Sequence, residues 1–93
     1  MKKNLRNQIK DIAIDRVKEY SSKKTMDTLN SICNNLDDPL SIHHANSKYL
    51  RENCFDEDGN FSDFGVDLLC TSHDLFVNMT NLANEFGLKY YDN

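Results

Sequence analysis

The side chains of this chain best equipped for chemistry are its histidines, its cysteines and its clustered carboxylates, and none of these sets completes a signature. The loop Phe55 to Asn60 reads FDEDGN. Aligned on Asp56 as the first ligand of a calcium loop, it offers Asp56, Asp58 and Asn60 at positions 1, 3 and 5. Position 6, where glycine makes the sharp turn, is Phe61, and position 12, where a bidentate glutamate closes the site, is Asp67. The spacing therefore predicts a solvated acidic turn at Asp58-Gly59. Cys70 and His73 stand at i, i+3, and His43, His44 and Cys54 would complete a zinc set, but without the paired CxxC or HxxxH rhythm of zinc sites. Whether these five converge on a metal depends on the fold. A cysteine with a histidine also raises nucleophilic catalysis, and His43-His44 raises acid/base cleavage of RNA. Against both, the three glycines, at 59, 65 and 87, read as a turn, a helix start and a helix stop. None is left for a loop that approaches a substrate closely. The expectation is a protein with no catalysis of its own and no cofactor.

The element that must position most of these residues is Ser62 to Gly87, which reads as one long amphipathic helix. At about 100° per residue, Phe64, Leu68, Leu69, Leu75, Phe76, Met79, Leu82, Ala83 and Phe86 fall within roughly 140°, interrupted by Ser72. Asp67, Asp74, Asn78, Asn81 and Glu85 cluster on the opposite side, beside a thinner ridge of Val66, Cys70 and Val77. Ser62 is the expected N-cap, Asp63 suits the positive end of the helix, and Gly87-Leu88 predicts a Schellman stop. Upstream, Leu5, Ile9, Ile12, Ala13, Val17 and Tyr20 predict a first helix over residues 3 to 20, with Arg16 projecting into its apolar arc toward a carboxylate of the body. Met26, Leu29, Ile32, Cys33 and Leu36 repeat out of phase with it, so a second helix over 25 to 36 begins after a break at Ser21 to Thr25, capped by Ser22 or Thr25. Asp37-Asp38-Pro39 stops that helix and starts a third over 40 to 54, with Pro39 at its first position. Phe55 and Phe61 bracket the acidic loop.

The expected fold is all-α: one domain, residues 1 to 93, a compact four-helix bundle whose long C-terminal helix, 63 to 86, packs in the middle. No apolar run approaches the ~18 residues of a membrane span, and the first residues lack the apolar core of a signal peptide. The expectation is a cytoplasmic protein. Cys33, Cys54 and Cys70 are odd in number and irregularly spaced, which suits free thiols.

Charge is distributed unevenly. Residues 1 to 24 carry eight basic and three acidic side chains, and residues 25 to 93 carry three basic and twelve acidic, for a net charge of −4. This asymmetry reads either as a nucleic-acid-binding arm, with Arg6 and Lys10 on phosphates, or as a basic helix lying on an acidic body. The acidic body includes Asp37, Asp38, Asp56, Glu57, Asp58, Asp63, Asp67 and Asp74, a set that can imitate phosphate charge for a nucleic-acid-binding protein and steer it in.

In size, acidity and helical build, the chain resembles the small cytosolic immunity proteins that neutralise bacterial nuclease toxins of the contact-dependent inhibition and colicin type. The resemblance implies a stoichiometric inhibitor whose acidic side chains cover a toxin's cationic cleft, with Tyr90 and Tyr91 as anchors. A phage-encoded inhibitor of a host defence nuclease would read the same way. The oligomeric state is open, and the Val66, Cys70, Val77 ridge offers a dimer contact.

Overall fold

A computed structural model describes residues 4–91. Four α-helices follow in order: α1 (Leu5–Lys18), α2 (Lys23–Cys33), α3 (Pro39–Asn53) and α4 (Asp63–Phe86). The bounds lie close to those expected from periodicity; the expected start of the first helix at Lys3 lies outside the described residues. Each helix begins on a short polar side chain that accepts an otherwise orphaned amide. Asn4 accepts from Asn7, Ser22 from Thr25, Asp38 from Ser41 and Ser62 from Gly65. Helix α4 ends where Gly87 takes a left-handed φ of 72° and the Leu88 amide reaches back 2.8 Å to the Ala83 carbonyl, a Schellman closure. Helix α2 ends differently. Asn34 (φ −56°, ψ 128°) and Asn35 (φ 68°) form a type II turn closed by Leu36 N–H on the Cys33 carbonyl at 2.9 Å.

Helix α4 touches all three other helices, and α1 and α3 flank it. One core joins Ile9 and Ala13 of α1, Leu29 and Cys33 of α2, Ile42 and Leu50 of α3, and Leu68, Leu75, Met79, Leu82 and Ala83 of α4. The architecture is an all-α four-helix bundle. Among the described residues extended pairing is limited to one antiparallel bridge, Phe55 with Phe61, and no helix is long and apolar enough to cross a membrane.

The buried side of α4 is turned by roughly 30° from the arc expected at 100° per residue. Thr71 and Ser72 are buried, whereas Leu69 is 44% exposed; Phe86, in line with buried Leu68, is 54% exposed at the last residue of the helix. The reason is the neighbour: Ser21, in the α1–α2 turn, meets Thr71 at 3.2 Å and draws that flank inward. Leu69 is left outside. Arg16 also departs from expectation, being exposed with no carboxylate partner among the described residues. Gly65 is present for space rather than as a helix starter, since a Cβ there would stand 2.8 Å from both the Cys54 Cβ and the Phe61 ring. That close approach seats the acidic loop against α4. Asn46 is 2% exposed, with its side-chain carbonyl unpartnered.

Candidate partner-binding surface

The ten side chains expected to bind a partner separate into two groups. Asp37, Asp38, Tyr90 and Tyr91 are engaged within the fold at one end of the bundle. Arg6, on the first turn of α1, donates to the Tyr90 carbonyl at 2.7 Å, lies 5.2 Å from the centre of the Tyr90 ring and sits 3.6 Å from the Asp37 carboxylate. The Tyr91 hydroxyl donates to Asp38 at 2.8 Å and accepts the Leu40 amide at 2.9 Å. Asp38 also caps α3. Burial alone would raise its carboxyl pKa, but the Ser41 amide, the Tyr91 hydroxyl and the nearby Arg6 charge outweigh that and hold it below the ordinary range. Burial pushes Tyr90 up to about 12. These tyrosines fasten the C-terminal segment across the starts of α1 and α3, with Tyr91 still 46% exposed.

Asp56 belongs to the same class. Its carboxylate accepts the amides of Asp58 and Asn60, each at 2.9 Å, and these bonds, that of Asn60 foremost, hold its pKa below the usual range. The carboxylate is turned onto its own loop and closes the turn in which Gly59 takes a φ of 82°.

The remaining carboxylates face outward. Glu57, Asp58, Asp63 and Asp67 are exposed and their side chains make no hydrogen bond or ion pair among the described residues. Asp63 and Asp67 occupy the first two turns of α4, directly after the acidic loop. Asp74, two turns further on, accepts from the Tyr20 hydroxyl at 2.9 Å. Burial, this bond and the Asp74 charge raise the Tyr20 pKa. Between Asp67 and Asp74 a groove of about 460 Å³ runs under the α1–α2 turn, lined by Tyr20, Ser21, Ser22, Thr25, Cys70 and Thr71. A second depression of about 410 Å³, formed by Leu69, Cys70, His73 and Asp74, continues from it over the outer side of α4. Charge-free apolar surface accompanies the acids there: Val66 is 45% exposed, Leu69 44% and Val77 40%. Sequence periodicity placed Leu69 in the core and gave Tyr20 no role at this surface; their recruitment depends on how α1 meets α4.

The side chains singled out for metal binding or catalysis are dispersed. Cys54 is buried against Gly65, His43 lies edge-on to Phe76 with ring centres 6.3 Å apart, and Cys70 and His73 line the outer depression. Among the described residues no three His, Cys, Asp or Glu side chains are grouped to hold a metal ion. Cys33 is pushed up to about 11 by burial despite the nearby Lys10 charge, which makes its thiol a poor nucleophile.

The two cations that a nucleic-acid reading would place on phosphates are likewise engaged. Arg6 holds the C-terminal segment. Lys10 Nζ donates to the carbonyls of Cys33 at 2.8 Å and Leu36 at 2.6 Å, clamping the turn that ends α2. The arrangement as a whole is a four-helix scaffold with a carboxylate-bordered apolar strip on its central helix. Comparison with family models, with curated proteins and with solved structures returns no match to the chain.

Proposed function

We propose that the protein is an acidic inhibitor that binds a basic protein and occupies a cationic cleft on it, in the manner of an immunity protein against a bacterial nuclease toxin. The observation that carries this reading is the unequal use of charge. Arg16 and Lys18 stay exposed on α1, but Arg6 and Lys10, the cations expected on phosphates, are spent on the bundle's own carbonyls. Glu57, Asp58, Asp63 and Asp67, in contrast, project outward without partners around the start of α4. Unpaired carboxylates on a rigid scaffold raise the encounter rate with a cationic protein and offer its active-site lysines and arginines the charge they use to hold phosphate. No chemistry by the inhibitor is needed for this.

The test is capture from host lysate with tagged protein, including the product of the neighbouring gene, followed by titration of any nuclease activity in the captured polypeptide. The expected result is a one-to-one complex with a basic polypeptide whose activity falls to zero at equivalence. Glu57→Lys with Asp58→Lys is expected to weaken the complex at least tenfold with no loss of helicity. Retention of nucleic acid alone, released by salt and lost in Arg16→Ala with Lys18→Ala, would replace this reading with nucleic-acid binding.

A further inference from the structure

The partner-binding reading leaves open what kind of element the protein receives, and the outer side of α4 narrows it. Val66, Cys70, His73 and Val77 follow one another at steps of four, three and four residues. That is the spacing at which one helix presents a continuous seam to another, with side chains inserting as knobs into the holes of the facing helix. All four are exposed, and Leu69 widens the strip on one side. The seam is roughly 17 Å long at 1.5 Å per residue, about three turns of a facing helix.

The border of the strip states the charge of its occupant. Helix α4 carries four carboxylates, Asp63, Asp67, Asp74 and Glu85, and no lysine or arginine. At helical spacing all four fall on one side of the seam, the side toward α1, where Tyr20 meets Asp74. A second copy of α4 would bring more carboxylates and no lysine or arginine to pair with them, so self-association leaves the border uncompensated. A lysine- or arginine-flanked apolar helix compensates it. Resting on the inhibitor reading above, we propose that the outer side of α4 is a docking seam for a basic amphipathic α-helix of the partner. Its apolar stripe packs between Val66 and Val77, and its cations meet Asp63, Asp67 and Asp74. Specificity in such a pairing comes from the charged border and affinity from the seam.

The probe is a three-heptad synthetic peptide with leucine at the seam positions and lysine flanking them, fluorescently labelled. Its controls are a peptide of identical composition in scrambled order and one with glutamate in place of lysine. Expected are saturable one-to-one binding of the first peptide, at least tenfold weaker binding of both controls, and amide shifts on titration confined to residues 63–81. Leu69→Gln with Val77→Gln, which alters only outward side chains, is expected to weaken binding at least tenfold at unchanged melting temperature. Equal binding of the scrambled peptide, shifts centred on the 56–60 loop, or dimerisation of the protein alone that the double variant abolishes would each overturn the proposal. The two readings fail separately. A captured basic partner that the seam variant binds undiminished removes the seam and keeps the inhibitor; a seated peptide with no inhibited partner does the reverse.

Discussion

At the end of the bundle where the C-terminal segment crosses α1 and α3, the acids and Tyr91 are matched and Tyr90 is held through its carbonyl and ring; around the start and outer side of α4, residues of the same types are largely unmatched. Asp37, Asp38, Tyr90 and Tyr91 meet Arg6, the Leu40 amide and one another. Glu57, Asp58, Asp63 and Asp67 meet only solvent among the described residues. The difference lies in what arrives from elsewhere in the chain. At the first end α1 delivers a guanidinium that bonds, pairs and stacks at once, whereas beside α4 the turn after α1 delivers the Tyr20 hydroxyl, spent on Asp74, and the Lys24 ammonium rests over the Phe64 ring at 4.2 Å rather than on a carboxylate. A carboxylate becomes part of the scaffold when a remote donor is brought to it and remains available for recognition when none is. Residue type alone does not separate the two.

The largest effect on this division is expected from Gly65, which seats the acidic loop on α4. In Gly65→Ala the new methyl meets the Cys54 Cβ and the Phe61 ring at 2.8 Å, and neither can withdraw cheaply. A loss of about 1 to 3 kcal/mol is expected from such overpacking, measured by urea unfolding. An unchanged midpoint would mean that the loop is held by other contacts and that its charges are less fixed in place than argued.

Next is Arg6→Ala, which removes the Tyr90 carbonyl bond, the Asp37 pair and the ring contact together. The hydrogen bond to a charged donor dominates, because the pair is long at 3.6 Å and its side chains are 32% and 38% exposed, and a loss of about 1 to 2 kcal/mol is expected. Limited proteolysis at the C-terminal segment should accelerate in parallel. Stability that did not change would place this end with the unmatched one.

Titration sharpens the same contrast. Asp38 and Asp56 have folded values below their unfolded ones, so each contributes stability that is complete above about pH 4 to 5 and lost as pH falls through the folded values. Tyr90 shifts the other way. Its contribution is complete below about pH 10 and is lost as pH rises toward about 12. Because the Tyr90 hydroxyl is buried without a partner, Tyr90→Phe should leave neutral stability unchanged or slightly raised and flatten the alkaline fall seen by circular dichroism. A variant as sensitive to alkali as the parent would assign that fall to Tyr20 or Tyr91, whose values are also raised.

What the sequence discloses and what it conceals follow the range of the interactions. The caps at Ser22, Asp38 and Ser62 and the stop at Gly87 are decided within four residues, so the helix bounds are legible. The central place of α4 follows from its length and its wide apolar arc. The candidate site is less legible because it is decided by contacts across the chain: Arg6 with Tyr90, Tyr91 with Asp38, and Tyr20 with Asp74 span 84, 53 and 54 residues. No local pattern separates Asp37 from Asp67. The same limit explains Leu69, which periodicity assigns to the core and the Ser21–Thr71 contact turns outward.

The smallest effect on stability is expected at the unmatched carboxylates, and the comparison turns on its being small. Asp67→Asn and Glu57→Gln remove charges that make no hydrogen bond or ion pair among the described residues, so each should change stability by no more than about 0.5 kcal/mol. Asp38→Ala removes the N-cap acceptor of α3 and the bond to Tyr91, and should cost about 1 kcal/mol. Urea midpoints of the three variants at pH 7, and again in about 1 M salt, where the screening length is near 3 Å, separate the cases. Screening should leave the Asp38→Ala deficit largely in place, because that deficit comes from lost short hydrogen bonds rather than from net charge. If Asp67→Asn instead proved as costly as Asp38→Ala, its carboxylate would be part of the scaffold. The start of α4 would then lose its claim to be the surface kept free for a partner.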